Sequence, residues 1–98
     1  MILSNEPGYY REGAFGIRIE NLIVVVPAPA ILGADDREML AFETLTFVPI
    51  DRNLIDANLL TASERKWINA YHAQVADMLE GRVSDKARDW LAKATAPI

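Results

Sequence analysis

The sequence contains no cysteine. Disulfides, thiolate metal sites and a cysteine nucleophile are therefore excluded together. It has no run of five like charges and no basic stripe, and its formal net charge is −4. Nucleic acid is accordingly a poor candidate partner, and the mild acidity fits a soluble cytoplasmic protein. Long hydrophobic runs are also missing. The longest uncharged stretch, 21–34, is interrupted by Pro27, Pro29 and Gly33, so it is too short and too broken to cross a bilayer. Met1 to Glu6 lacks the basic start and apolar stretch of a signal peptide, and a cytoplasmic location is the expectation. Internal repeats, low-complexity segments and a Gly- or Ser-rich linker are absent too. What remains is 98 residues, 51% hydrophobic and 24% charged. That is the size and balance of one small globular domain with little stability to spare.

Three regions differ in pattern. Ile2 to Glu6 reads as a strand stopped by Pro7-Gly8, a pair that cannot continue a ladder. Tyr9 to Gly16 reads as a loop leading into a second strand, Ile17 to Val26, which is rich in β-branched residues and ends at Pro27. Residues 28–41 read as loop, Phe42 to Val48 as a third strand closed by Pro49, and Leu54-Ile55 and Leu59-Leu60 as short apolar turns. The last third is helical. Thr61 and Glu64 have capping-box spacing. Trp67, Tyr71, Val75 and Met78 or Leu79 form one apolar face, with Gly81 as the stop. A second helix starts at Asp85, capped by Ser84, with Ala87, Trp90, Leu91 and Ala94 on its buried side, and Pro97 ends it. The expected fold class is α+β: a small, mostly antiparallel sheet with two C-terminal helices packed on it.

Chemistry concentrates near the start. Arg18 and Glu20 are two apart on a strand and share a face. Glu6 ends the first strand, so if the two strands are antiparallel neighbours, Glu6 and Glu20 converge. Two carboxylates at one point repel, and a divalent cation is one way to keep both ionised. The competing reading is a solvated turn glutamate and a surface ion pair.

The motifs around these residues resemble a known family. Ser4-Asn5-Glu6-Pro7-Gly8-Tyr9-Tyr10 and Gly16-Ile17-Arg18-Ile19-Glu20-Asn21 are similar to the last two metal-ligand motifs of the pita-bread metallopeptidases. Phe42 to Leu60 and Trp67 to His72 resemble the C-terminal extension of long, three-domain Xaa-Pro aminopeptidases. Prolidases, methionine aminopeptidases and creatinases share the pita-bread fold but generally lack that extension. The resemblance runs from Ile2 to Ile98.

It implies a division into the last strands of a pita-bread catalytic domain (1–27) and an extension with a strand and two helices (28–98), forming one compact unit. It implies that Glu6 binds one metal and shuttles a proton, that Glu20 bridges two metals, and that Arg18 is a basic residue beside the site, orienting the ligand carboxylates. The implied cofactors are two divalent ions, manganese first, with cobalt or zinc behind it. The implied reaction is hydrolysis of the amide before a penultimate proline in a peptide substrate.

The family's two metal-binding aspartates and its metal-binding histidine lie upstream of the Glu-Pro-Gly motif. Asp35, Asp36, Asp51 and Asp56 follow Glu20 and cannot replace them. His72, the only histidine, reads as a structural residue on the first helix. The chain alone is therefore expected to be inactive. A stand-alone dimerisation module and a carboxylate-rich metal scavenger are the other readings. Strands rich in Val and Ile with unpaired edges predict a homodimer or higher assembly. Trp67 and Tyr71 read as filling a core between helix and sheet, or else as interface residues. Tyr9, Tyr10 and Phe15 read as stapling the hairpin, or else as lining a substrate pocket.

Overall fold

Alternating apolar and polar residues near the start pair as antiparallel strands in the computed structural model, which describes all residues from Met1 to Ile98. Strand β1 (Ile2–Asn5) pairs with β4 (Asn21–Pro27), and β4 pairs on its other side with β5 (Leu40–Thr44), giving the order β1-β4-β5. The β-branched run Ile23 to Val26 forms the central strand, as expected for residues that suit a pleated surface. A separate two-stranded ladder joins β2 (Gly8–Arg11) to β3 (Phe15–Arg18). The expected loop at 9–16 is thus mostly hairpin. Its turn uses Gly13 at φ 69°, where a side chain would be strained, and Ala14 N–H bonds to the Arg11 carbonyl at 3.1 Å.

Both ladders keep one register. Asn5 faces Asn21 at the end of one, and Gly8 faces Arg18 at the start of the other. Glu6 and Pro7 therefore lie opposite Glu20 and Ile19 in the gap between them. Proline has no N–H to give to the ladder, and the surviving bond runs from Ile19 N–H to the Pro7 carbonyl at 3.1 Å. The expected continuous strand 17–26 is broken there for that reason.

The helical third begins with two 3₁₀ turns, Arg52–Leu54 and Ala57–Leu59, each capped by the aspartate before it. Helix α1 (Ala62–Leu79) starts with a complete capping box between Thr61 and Glu64. Helix α2 (Asp85–Ala94) is capped by Ser84, which accepts from the Ala87 N–H. At its other end the Arg52 guanidinium donates to the carbonyls of Lys93 (2.7 Å) and Ala96 (3.0 Å). A cation suits the negative end of a helix.

The expectation of a single compact unit is not met. The chain forms two, Met1–Thr46 and Phe47–Ile98. No linker composition marks the boundary, because the sheet's last strand runs directly into the next unit's first apolar residues. The core around Tyr71, Val75 and Leu91 takes its further packing from Phe47, Ile50, Leu79 and Val83. It lies within the second unit. Leu79, not the half-exposed Met78, completes the α1 face, and Ile68 and His72 join it. Trp67 stays 45% exposed, stacked on the Tyr71 ring at 5.4 Å. Trp90, expected inside, is 61% exposed. The inward stripe of α2 runs through Ala87, Leu91, Ala94 and Thr95, leaving Trp90 at its rim.

Candidate metal centre

The gap between the two ladders brings three charged side chains together. Arg18 Nη1 lies 3.7 Å from Glu6 Oε2 and 3.9 Å from Glu20 Oε2. Residues two apart share a face, as do cross-strand partners, so Ser4, Glu6, Gly8 and Tyr10 point the same way as Gly16, Arg18 and Glu20. The Ser4 hydroxyl is 3.0 Å from Glu6 Oε2 and 3.4 Å from Glu20 Oε1. At the far end, the Arg18 guanidinium grips the Tyr10 hydroxyl through Nε (2.8 Å) and Nη2 (2.5 Å). Tyr10 first, then Glu6 ahead of Glu20, hold this guanidinium above its ordinary pKa.

Two glycines make that grip possible. A Cβ on Gly16 would stand 2.6 Å from Tyr10 Cδ1, and one on Gly8 would stand 2.9 Å from Tyr10 Cε2. The ring lies flat along the face because both positions are empty of side chain. Tyr9 and Phe15 occupy the opposite face, with their rings 6.0 Å apart across the hairpin. Sequence reasoning named Glu6, Arg18 and Glu20 but gave Tyr10 only a stapling or pocket role, and gave Ser4, Gly8 and Gly16 none. The available signal was the alternation itself: a tyrosine with glycine two residues before it and glycine as its cross-strand partner.

The donor set is oxygen-only and suits a hard or borderline divalent ion. It is also short. No three His, Asp or Glu side chains come together anywhere in the chain, so Glu6 and Glu20 do not make a closed metal site. His72 stands elsewhere, fully buried on α1. Its Nε2 accepts the Ile50 N–H at 3.0 Å, and its Nδ1 has no partner. Burial first, then the Arg52 charge, push it below its ordinary pKa.

The comparisons with known proteins bear on this arrangement. The family model described as the C-terminal region of peptidase M24 matches residues 38–98. The chain belongs to the peptidase M24 family. Among M24 relatives, aminopeptidase P1 of Lotus japonicus is 43% identical over 99 residues, covering 100% of this chain and 15% of the relative. A probable Xaa-Pro aminopeptidase P of Tuber melanosporum is 47% identical over 100 residues, covering 100% and 16%. A solved X-prolyl aminopeptidase from Caenorhabditis elegans, described as a cytosolic enzyme with a di-nuclear active site, superposes with a TM-score of 0.82. Its identity is 39%, covering 99% of this chain and 16% of that one. The M24 chain described here thus spans about a sixth of the length of these relatives. Its mixed architecture of antiparallel sheets and two helices agrees with the expected α+β class.

Proposed function

We propose that this chain is the C-terminal part of a dinuclear metal-dependent Xaa-Pro aminopeptidase, which removes the N-terminal residue from peptides with proline in second position. The observation that carries the reading is the facing pair Glu6 and Glu20, set where the hairpin ladder breaks and flanked by Arg18. The di-nuclear site of the Caenorhabditis elegans relative supports it.

In this reading Glu6 and Glu20 hold the ions, with manganese the first choice and cobalt or zinc behind it. When bound, the two ions supply Lewis-acid polarisation of the amide carbonyl and acidification of water. Glu6 also accepts and returns a proton during hydrolysis. Glu20 would be the second carboxylate to hold the ions. Arg18 offsets the mutual repulsion of the two carboxylates, and Tyr10 keeps its guanidinium in place. Residues 1–27 are the last strands of the catalytic domain, and 28–98 are the extension. The chain alone supplies too few ligands and does not hydrolyse peptides. The cytosolic description of the relative supports a cytoplasmic location, and no helix is long and apolar enough to cross a membrane.

The test compares two proteins on an Xaa-Pro peptide. The whole enzyme is expected to release the N-terminal residue and to lose both that activity and bound manganese on Glu6→Ala, Glu20→Ala double substitution. The 98-residue chain is expected to release nothing and to bind manganese no more tightly than its own double variant. Undiminished cleavage by the doubly substituted enzyme would overturn the reading.

A second proposal is self-association. The outer edges of β1 and β5 are unpaired in the sheet, and Ile2, Leu40 and Phe42 are exposed there. Such edges favour a homodimer. A sharp monomer peak by size exclusion with light scattering, at about tens of micromolar, would exclude it.

A further inference from the structure

We propose that Ser4 is the positioning residue for the carboxylate pair: its hydroxyl, between Glu6 and Glu20, sets how the two groups face each other. The proposal rests on the metal-ligand reading of Glu6 and Glu20 and adds what prepares them for a cation.

The geometry is specific to the fold. Ser4 sits on β1 opposite Leu22 of β4, two residues before Glu6 on one strand and diagonal to Glu20 on the other. Its Oγ approaches Glu6 Oε2 at 3.0 Å and Glu20 Oε1 at 3.4 Å. A hydroxyl has one proton, so it serves the nearer carboxylate or shares the proton between both. Arg18 is farther from each, at 3.7 and 3.9 Å, and its best-placed donors are spent on Tyr10. The guanidinium thus acts on the pair through charge, whereas the serine acts through direction. Charge alone leaves an exposed carboxylate free to rotate, and a hydrogen bond to one of its oxygens does not.

The support beneath Ser4 is firm. The next ladder pair is Asn5 and Asn21, whose side chains bond to each other at 3.1 Å, with Asn21 only 3% exposed. The two strands are therefore pinned one residue away from the serine. Groups that orient metal ligands in this manner are typically worth about 10- to 100-fold in metal affinity.

The experiment uses two isosteric variants of the 98-residue chain, Ser4→Thr and Ser4→Val, which differ in the hydroxyl. Both β-branched side chains suit a strand, and backbone amide signals report whether β1 still pairs. The readout is the side-chain carboxyl ¹³C signals of Glu6 and Glu20, with Glu12 and Glu43 as references. Ser4→Val is expected to move both signals and leave the references in place, while Ser4→Thr keeps both near their original positions. Movement of Glu6 alone, or of neither, would overturn the proposal, whatever manganese does. Manganese titration of the whole enzyme then tests the reading beneath it. A loss of about 10- to 100-fold in Ser4→Val, recovered in Ser4→Thr, is expected. Paired carboxyl shifts with manganese affinity untouched in Ser4→Val, and also in Glu6→Ala, Glu20→Ala, would sink the metal reading while leaving the serine's hold on the pair intact.

Discussion

The two units of this chain are ordered by different physics. Phe47–Ile98 buries Ile68, Tyr71, His72, Val75, Leu91 and Thr95, and closes its helix ends with Thr61, Ser84 and Arg52. Met1–Thr46 buries only one residue, and that is Asn21. Its strands are held by backbone ladders and by the polar face built on Ser4, Tyr10 and Arg18. Apolar side chains such as Leu22, Leu40 and Phe42 lie open. Apolar burial is the dominant stabilising term in folding, so the second unit has the means to stand by itself and the first depends on geometry that leaves its apolar surface unused.

The sharpest way to break that contrast is to cut the second unit's core. Leu91→Ala should cost about 3 kcal/mol in urea unfolding, followed by tryptophan fluorescence, since Trp67 and Trp90 both lie in that unit. A loss below about 1 kcal/mol would mean that the core is not what holds it.

Acid should separate the units next. In the fold the affinity of His72 for a proton is held below the unfolded value by burial and by Arg52. The unfolded chain therefore takes up the proton first as pH falls. The stability tied to the neutral ring is complete above about pH 6.5 and is lost below it, with a limiting slope of about 1.4 kcal/mol per pH unit. A proton on Nε2 would also set two donors against each other at Ile50. The tryptophan-reported midpoint should fall with pH in the parent chain and flatten in His72→Gln. An equal slope in that variant would remove His72 as the cause.

Within the first unit, Gly16→Ala should displace the Tyr10 ring and release Arg18, with a loss of stability smaller than that of Leu91→Ala. The Arg18 Nε–H signal in NMR, sharp in the parent and exchange-broadened in the variant, checks this. The smallest effect belongs to the exposed apolar residues. Phe42→Ala is expected to change stability by under about 0.5 kcal/mol, and a cost near that of Leu91→Ala would show that the sheet has a core after all.

Much of this was legible from the residues. The Thr61–Glu64 capping box, the Ser84 cap and the strand ends at Pro27 and Pro7 are local signals with local causes. The positions of Arg18 and Glu20 on one face follow from strand periodicity. The errors came from packing. Trp90 was placed inside because helical spacing names a face but not its rim. The break in strand 17–26 is not visible in its own residues, because the missing donor sits on its partner, at Pro7. The roles of Tyr10 and Ser4 are not legible in the sequence, because tyrosine and serine are common and acquire meaning only from what stands across the ladder.

The sequence by itself therefore determined the element types, the capping and the charge pattern, since each depends on residues a few positions apart. The tertiary structure decided the register that places Glu6 opposite Glu20 and the empty glycine positions that admit the Tyr10 ring. It also decided the division of the chain at Thr46 and Phe47. The register and the division depend on pairs distant in sequence, where loop closure is unfavourable until the contacts it permits have formed.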